Sequence, residues 1–186
     1  TPEILSVLDQ YNAKATFFLI SDHITGNEDL VSQMLDQGHE LGHHMTKGET
    51  TIRLPYDDFR KKFDQADSML SQYAKIRWFR PGSGWYNKRM IAYLTHGEYD
   101  YRCALGSVYP FDPLIPSTIF ATVFISINIK PGSVVVLHDR GSWGKRTAKI
   151  LRQIIPKLQD RGYKFVTLTE LYNSCTKPRS DQETPN

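Results

Sequence analysis

The chain has 186 residues, enough for one domain and hardly two. Hydrophobic residues make up 40% and charged residues 23%, which excludes a disordered chain, and no apolar run approaches the roughly 18 residues of a membrane span. The formal charge is only +3 with no long basic block, so no nucleic-acid partner is expected. Cys103 and Cys175 are too few for a disulfide framework or an all-cysteine metal site; a single disulfide and the compartment both stay open.

Thr1-Pro2-Glu3 reads as an N-cap, a proline at the first helical position and an acid in the first turn. The chain therefore opens directly on a helix, with no Met and no signal peptide, and that start predicts a segment removed upstream. Ile4, Leu5, Leu8 and Tyr11 carry this helix, and residues 15–20 read as a buried strand. Leu30, Val31, Met34 and Leu35 give the next helix, closed by Gly38, and residues 39–42 follow as a strand. Phe59, Phe63, Ala66, Leu70 and Tyr73 step by four and three, predicting a long helix before a strand at 76–79. Met90, Ile91 and Leu94 precede Gly97 and a strand near 101–105. Residues 120–129 are apolar throughout and read mainly as helix, because Pro131-Gly132 ends them and 133–137 is already a strand. Ala148, Leu151, Ile154, Ile155 and Leu158 form a last long helix, closed by Gly162 before a strand at 163–168. One domain over 1–175 and a flexible polar tail over 176–186 are expected.

Helices alternating with apolar strands imply a parallel sheet covered by helices, either a doubly wound open sheet or a (β/α) barrel. Polar residues gather just past the strands: Ser21-Asp22-His23, His43-His44, Arg80-Pro81 and His138-Asp139. No glycine-rich phosphate loop is present, and groups converging from several strand ends favour the barrel.

Adjacent strand residues point to opposite faces, so His43 and His44 do not share one metal; His44 is taken as the inward one, and His39 as structural. The apolar run 134–137 ends abruptly in His138-Asp139, a good position for a general acid or base, or for a turn pair. Arg80 has the geometry to orient a carboxylate. Trp85, Tyr86 and Trp143 either stack on a sugar face or pack locally.

Several motifs in order carry a family resemblance. Thr1-Pro2-Glu3-Ile4-Leu5 with Ala13-Lys14-Ala15-Thr16-Phe17-Phe18 resembles the segment after the first motif of polysaccharide deacetylases with the NodB-homology domain, which include chitin deacetylases. Gly38-His39-Glu40-Leu41-Gly42-His43-His44 resembles the second motif and Phe79-Arg80-Pro81 the third. Leu137-His138-Asp139 resembles the fifth motif, and Gly162-Tyr163-Lys164-Phe165-Val166-Thr167-Leu168 resembles the family segment C-terminal to it. The resemblance implies a deformed, incomplete (β/α) barrel, zinc or another divalent metal, and hydrolysis of acetyl groups from an acetylated glycan. It implies His44 as a metal ligand, Arg80 as the support of the catalytic base, His138 as general acid, Asp112 as its tuning partner and Leu137 as a wall of the acetyl pocket.

The departures are specific. The family's first motif, which holds the base and metal aspartates, would end just before Thr1, and these 186 residues do not contain it. The second metal histidine falls on Gly48, adjacent Glu49 is the candidate metal ligand in its place, and Tyr109 stands where the fourth motif has an Asp. The expectation is therefore a metal-dependent deacetylase in intact form, impaired in this chain, and lacking one strand of the barrel wall. The alternatives are a catalytically inactive glycan-binding member, or an unrelated α/β module.

Overall fold

In the computed structural model, which describes residues 1–176, the chain alternates short parallel strands with longer helices. Helix α1 (Pro2–Gln10) leads to β1 (Thr16–Leu19), α2 (Glu28–Asp36), β2 (Glu40–His43), α3 (Tyr56–Leu70) and β3 (Trp78–Phe79). Then come α4 (Lys88–Tyr93), β4 (Arg102–Cys103), α5 (Thr118–Asn128), α6 (Ser142–Asp160) and α7 (Leu168–Thr176). The strands form one parallel sheet in the order β1-β2-β3-β4, with Leu19 beside His43 and His43 beside Phe79. A further parallel bridge joins Val108 to Val135 and carries the wall onward from β4. The architecture is an incomplete α/β barrel.

Two apolar clusters hold it. Phe59, Phe63 and Leu70 on one face of α3 pack on Leu41, Met45 and Phe79. Ile4, Val7 and Leu8 of α1 join Ala121 and Ile125 of α5 and Ile150, Ile154 and Ile155 of α6 in the second cluster. Phe17 on β1 touches both. The four-and-three spacing of these residues turns one stripe of each helix inward, which is why the helices form where the apolar period predicts them.

The wall is open on one side. β1 pairs only with β2, and its other edge faces residues 134–137 across a cavity of about 810 Å³. The opening accounts for two strands that the apolar pattern predicts and the fold lacks. Residues 133–137 make no ladder beyond the Val135 bridge, and residues 163–167 form no strand. A strand is sustained by partners on its edges, and here the neighbour is a cavity. The 163–167 segment is tied instead by Lys14 N–H donating to the Phe165 carbonyl at 3.1 Å. The predicted helix over 120–129 is α5. Helix α7, not anticipated, starts on a reciprocal cap: Thr167 N–H donates to Glu170 Oε2 at 2.8 Å and Glu170 N–H to Thr167 Oγ1 at 3.2 Å. Both cysteines are free thiols. The expected tail, apart from Thr176, lies outside the described residues.

Glu40 fastens α7 to the sheet. Its carboxylate accepts from Thr16 Oγ1 at 2.8 Å, from Thr169 N–H at 3.2 Å and from the Thr169 hydroxyl, which in turn accepts from Trp78 Nε1.

Candidate active site

The ends of β2 and β3 and the 134–137 segment open on the same cavity, which His44, Arg80, Leu137, His138, Tyr109 and Trp143 line. The strand parity of β2 divides its two histidines. His43 is fully buried, its ring stacked on Phe63 at 4.2 Å between centroids. Met45 N–H donates to His43 Nδ1 at 3.2 Å, so the ring proton sits on Nε2 and is donated to the Phe63 carbonyl at 3.0 Å. Burial pushes the His43 pKa down to about 4, which keeps it neutral.

His44 is the histidine offered to the cavity. Its Nδ1 lies 2.7 Å from the Arg80 carbonyl, which only accepts, so Nδ1 carries the proton and Nε2 keeps its lone pair. A carbonyl fixing one nitrogen so that the other can bind is the usual support of a metal imidazole. Burial lowers the His44 pKa, favouring the unprotonated ring. Met45, the next residue, is buried at φ 65, a left-handed conformation that non-glycine residues resist.

Arg80 lies with its guanidinium 3.9 Å from the centroid of the Phe18 ring and donates from Nε to the Ala104 carbonyl at 3.0 Å. Among the described residues it has no carboxylate partner. Burial lowers its pKa to about 10, well above neutrality, so the cation stands at the cavity wall. Gly42 leaves room for Phe18 beneath it: a Cβ there would lie 2.6 Å from the ring.

His138 is held at two points by Asp112. Its backbone N–H donates to Asp112 Oδ2 at 2.9 Å and its ring Nδ1 to Oδ1 at 3.0 Å. Asp112 is 2% exposed, and its carbonyl accepts from Arg146 at 3.0 Å. Thr147 Oγ1 closes the support by donating to the His138 carbonyl at 2.7 Å. With Nδ1 committed, Nε2 is the atom left for proton transfer. The Tyr109 and Trp143 rings flank the imidazole at 5.8 and 6.2 Å between centroids.

The remaining candidates lie elsewhere. Glu49 forms an ion pair with Lys62 of α3, and its backbone carbonyl lies so close to Gly82 that a Cβ there would sit 1.9 Å from that oxygen. Trp85 is 68% exposed and outside the cavity lining. Tyr86 borders a separate shallow depression with Asn87, Lys88, Ile91 and Ala92. The amino-acid pattern does not single out Phe18, Arg146 or Thr147 as functional, and Tyr109 stands out in it only as a departure from the fourth motif.

The donor set does not fit a tightly held metal ion. His44 supplies one nitrogen, Gly48 supplies no side chain, and Glu49 is engaged by Lys62. No group of three or more His, Cys, Asp or Glu side chains is placed to share an ion among the described residues. Zinc sites use three protein ligands or four.

A parallel α/β barrel wall thus brings a supported imidazole, a His–Asp pair and a cation to one cavity. Residues 1–102 match the family model for polysaccharide deacetylase, and the chain belongs to that family. It is 32% identical to a peptidoglycan-N-acetylglucosamine deacetylase of Bacillus cereus over 174 residues, 92% of this chain and 81% of that protein. An acetyl xylan esterase of Clostridium thermocellum, solved in complex with a cobalt ion, superposes with a TM-score of 0.84 at 27% identity over 95% of this chain and 85% of its own. A CE4 family pseudoenzyme from Bacillus anthracis superposes with a TM-score of 0.82 at 26% identity, over 91% of this chain and 59% of its own.

Proposed function

We propose that this chain is a deacetylase-family domain directed at an N-acetylated glycan. In this reading the acid half of its site is intact and its metal half is not. These 186 residues then bind the glycan and release little or no acetate. The observation that carries the reading is the contrast between His138, fixed at two points by Asp112, and His44, left as a lone donor beside Gly48 and a Glu49 that is ion-paired to Lys62.

The roles follow from position. His138, with Nδ1 bound to Asp112, presents Nε2 to the cavity; in a complete site, once that nitrogen is protonated, it would give the proton to the amine nitrogen that leaves as water adds to the acetyl carbonyl. Leu137 forms the apolar wall for the acetyl methyl, and Trp143 and Tyr109 are the aromatic surfaces beside the acid. A carboxylate brought to Arg80 would meet an unpaired cation, and the resemblance places such acids in the first motif. Metal dependence rests on the family resemblance and on the cobalt-bound esterase, and the glycan class on the Bacillus cereus relative. The pseudoenzyme with the same fold supports a member that keeps the scaffold without the reaction.

The test is metal analysis, an acetate-release assay on N-acetylglucosamine oligomers, and titration of the same oligomers followed by tryptophan fluorescence. The expected result is substoichiometric zinc, no acetate, and binding that Trp143→Ala weakens. Stoichiometric zinc with acetate release that disappears in His44→Ala would overturn the incomplete-site reading. Absence of glycan binding would overturn the substrate assignment.

A further inference from the structure

Helix α5 carries no charged residue, yet one side of it faces water. Ile119, Val123 and Ile127, spaced by four, are 73%, 53% and 74% exposed, and Leu114 in the preceding loop is 75% exposed. The opposite side, with Ala121, Thr122 and Ile125, is buried against α6. A surface helix normally turns polar residues outward, so an aliphatic stripe there needs a partner.

The neighbouring surface names the chemistry of that partner. Lys149, Gln153, Lys157 and Arg161 recur every fourth residue along α6 and its cap, and all four are exposed. The row is tied to α5 at two places: Thr122 Oγ1 donates to Gln153 Oε1 at 3.0 Å, and Arg161 donates to the Ser126 carbonyl at 3.1 Å. Lys130, also exposed, lies just past the end of α5. None of the four cations Lys130, Lys149, Lys157 and Arg161 is in an ion pair among the described residues. From Leu114 to Arg161 the sequence holds eight Lys and Arg against two acids, Asp139 and Asp160. The chain as a whole is only +3, and this stretch contributes +6, half of its eight cations being the exposed Lys130, Lys149, Lys157 and Arg161.

We propose that the α5–α6 face docks on an anionic lipid surface. Ile119, Val123 and Ile127 enter the acyl boundary, and Lys130, Lys149, Lys157 and Arg161 meet the headgroup phosphates. An apolar helical stripe bordered by cations is the pattern of a helix lying in the interface plane. No helix among the described residues is long and apolar enough to cross a membrane. A second copy is disfavoured by charge: pairing two such faces would set one row of cations against another. The stripe itself is aliphatic, and Phe120 beside Ile119 is an exposed aromatic of α5 that is 39% accessible, whereas a nucleic-acid strand is bound on a row of stacking rings.

Co-sedimentation of the chain with phosphatidylcholine vesicles, with and without phosphatidylglycerol, tests this. Binding is expected to the anionic vesicles and to weaken with salt. Lys149→Ala with Lys157→Ala should lower the partition by roughly 25-fold, at about fivefold per cation. Ile119→Ser with Ile127→Ser should lower it by about tenfold or more. Both double variants change exposed side chains, and circular dichroism and urea midpoints close to the parent establish that they are folded. No binding to either vesicle overturns the proposal. So does anionic binding indifferent to the isoleucine substitutions, which marks a polyanion surface. A dimer in sedimentation velocity that Ile127→Ser dissociates assigns the face to a second copy instead.

Discussion

Replacing Asp112 by Ala tests whether this carboxylate is what positions His138. The carboxylate is almost fully buried and accepts two hydrogen bonds, one from the His138 backbone and one from its ring. Removing it leaves the backbone N–H without an acceptor, at a cost of about 1–3 kcal/mol for an orphaned buried donor. The ring loses less, because the His138 side chain is 38% exposed and water can replace one acceptor. The expected total is about 2–4 kcal/mol, read as a lower urea midpoint with an unchanged slope. Nitrogen NMR of the imidazole supplies the readout that packing alone would not move. The parent should hold the proton on Nδ1, and the variant should lose that preference. Asp112→Asn, which keeps one carbonyl oxygen, should cost about half as much. A loss below about 0.5 kcal/mol with an unchanged tautomer would refute the reasoning, because the two bonds would then contribute neither stability nor orientation.

Glu40→Ala removes the carboxylate shared by Thr16 and Thr169, and is expected to cost about 3 kcal/mol, or roughly 6–12 °C in Tm, with hydrogen exchange in α7 rising first. His39 is buried beside Phe17 with its Nδ1 accepting from Ala15 N–H, and desolvation, with Lys14, lowers its pKa below 6.5. The unfolded chain therefore takes up this proton first, so the contribution is complete above about pH 6.5 and is lost as pH falls through the folded value. His39→Asn keeps an acceptor for Ala15 and removes the titration. Its urea midpoint should fall less than the parent's between neutral and mildly acidic pH. Gly48→His adds an imidazole to the cavity where a Cβ meets only Ile20 Cδ1, at 3.3 Å. Zinc affinity by calorimetric titration should rise about tenfold or more, and His44→Ala in the same background should abolish the gain.

The helices are legible because their apolar period is set by the two cores they face. Phe59, Phe63, Ala66 and Leu70 mark α3 from sequence and are all buried in it. Residues 120–129 are ambiguous by composition, since both faces of α5 are apolar, and Pro131-Gly132 decides them correctly. Strand assignment fails where it depends on a neighbour. Residues 134–137 are as β-prone as residues 16–19, but only the latter have a full partner, β2, so only they form a ladder. The α7 helix is readable from Thr167-x-x-Glu170, a local cap that needs no tertiary context. A weak apolar period hides it, because none of its residues is buried.

The candidate site divides along the same line. Strand parity alone places His44 toward the cavity and His43 away from it, and the Phe63 stack and the Arg80 carbonyl are the physical expression of that parity. The Asp112–His138 pair spans 26 residues and joins two segments outside the sheet, so no local spacing reveals it. Only ordered motifs point there. Glu49 illustrates the opposite limit. A carboxylate next to a missing ligand is a reasonable donor on paper, yet Lys62, one turn along α3 from Phe59, reaches it across the fold. Arg80 is placed by neighbours that no motif spacing names: a half-buried guanidinium held by the Phe18 ring and the Ala104 carbonyl, charged and lining the cavity. Arg80 and His138 both line the cavity, and Arg146 and Thr147 of α6 brace the Asp112–His138 pair there, so these groups are held by the same helix that closes the second core.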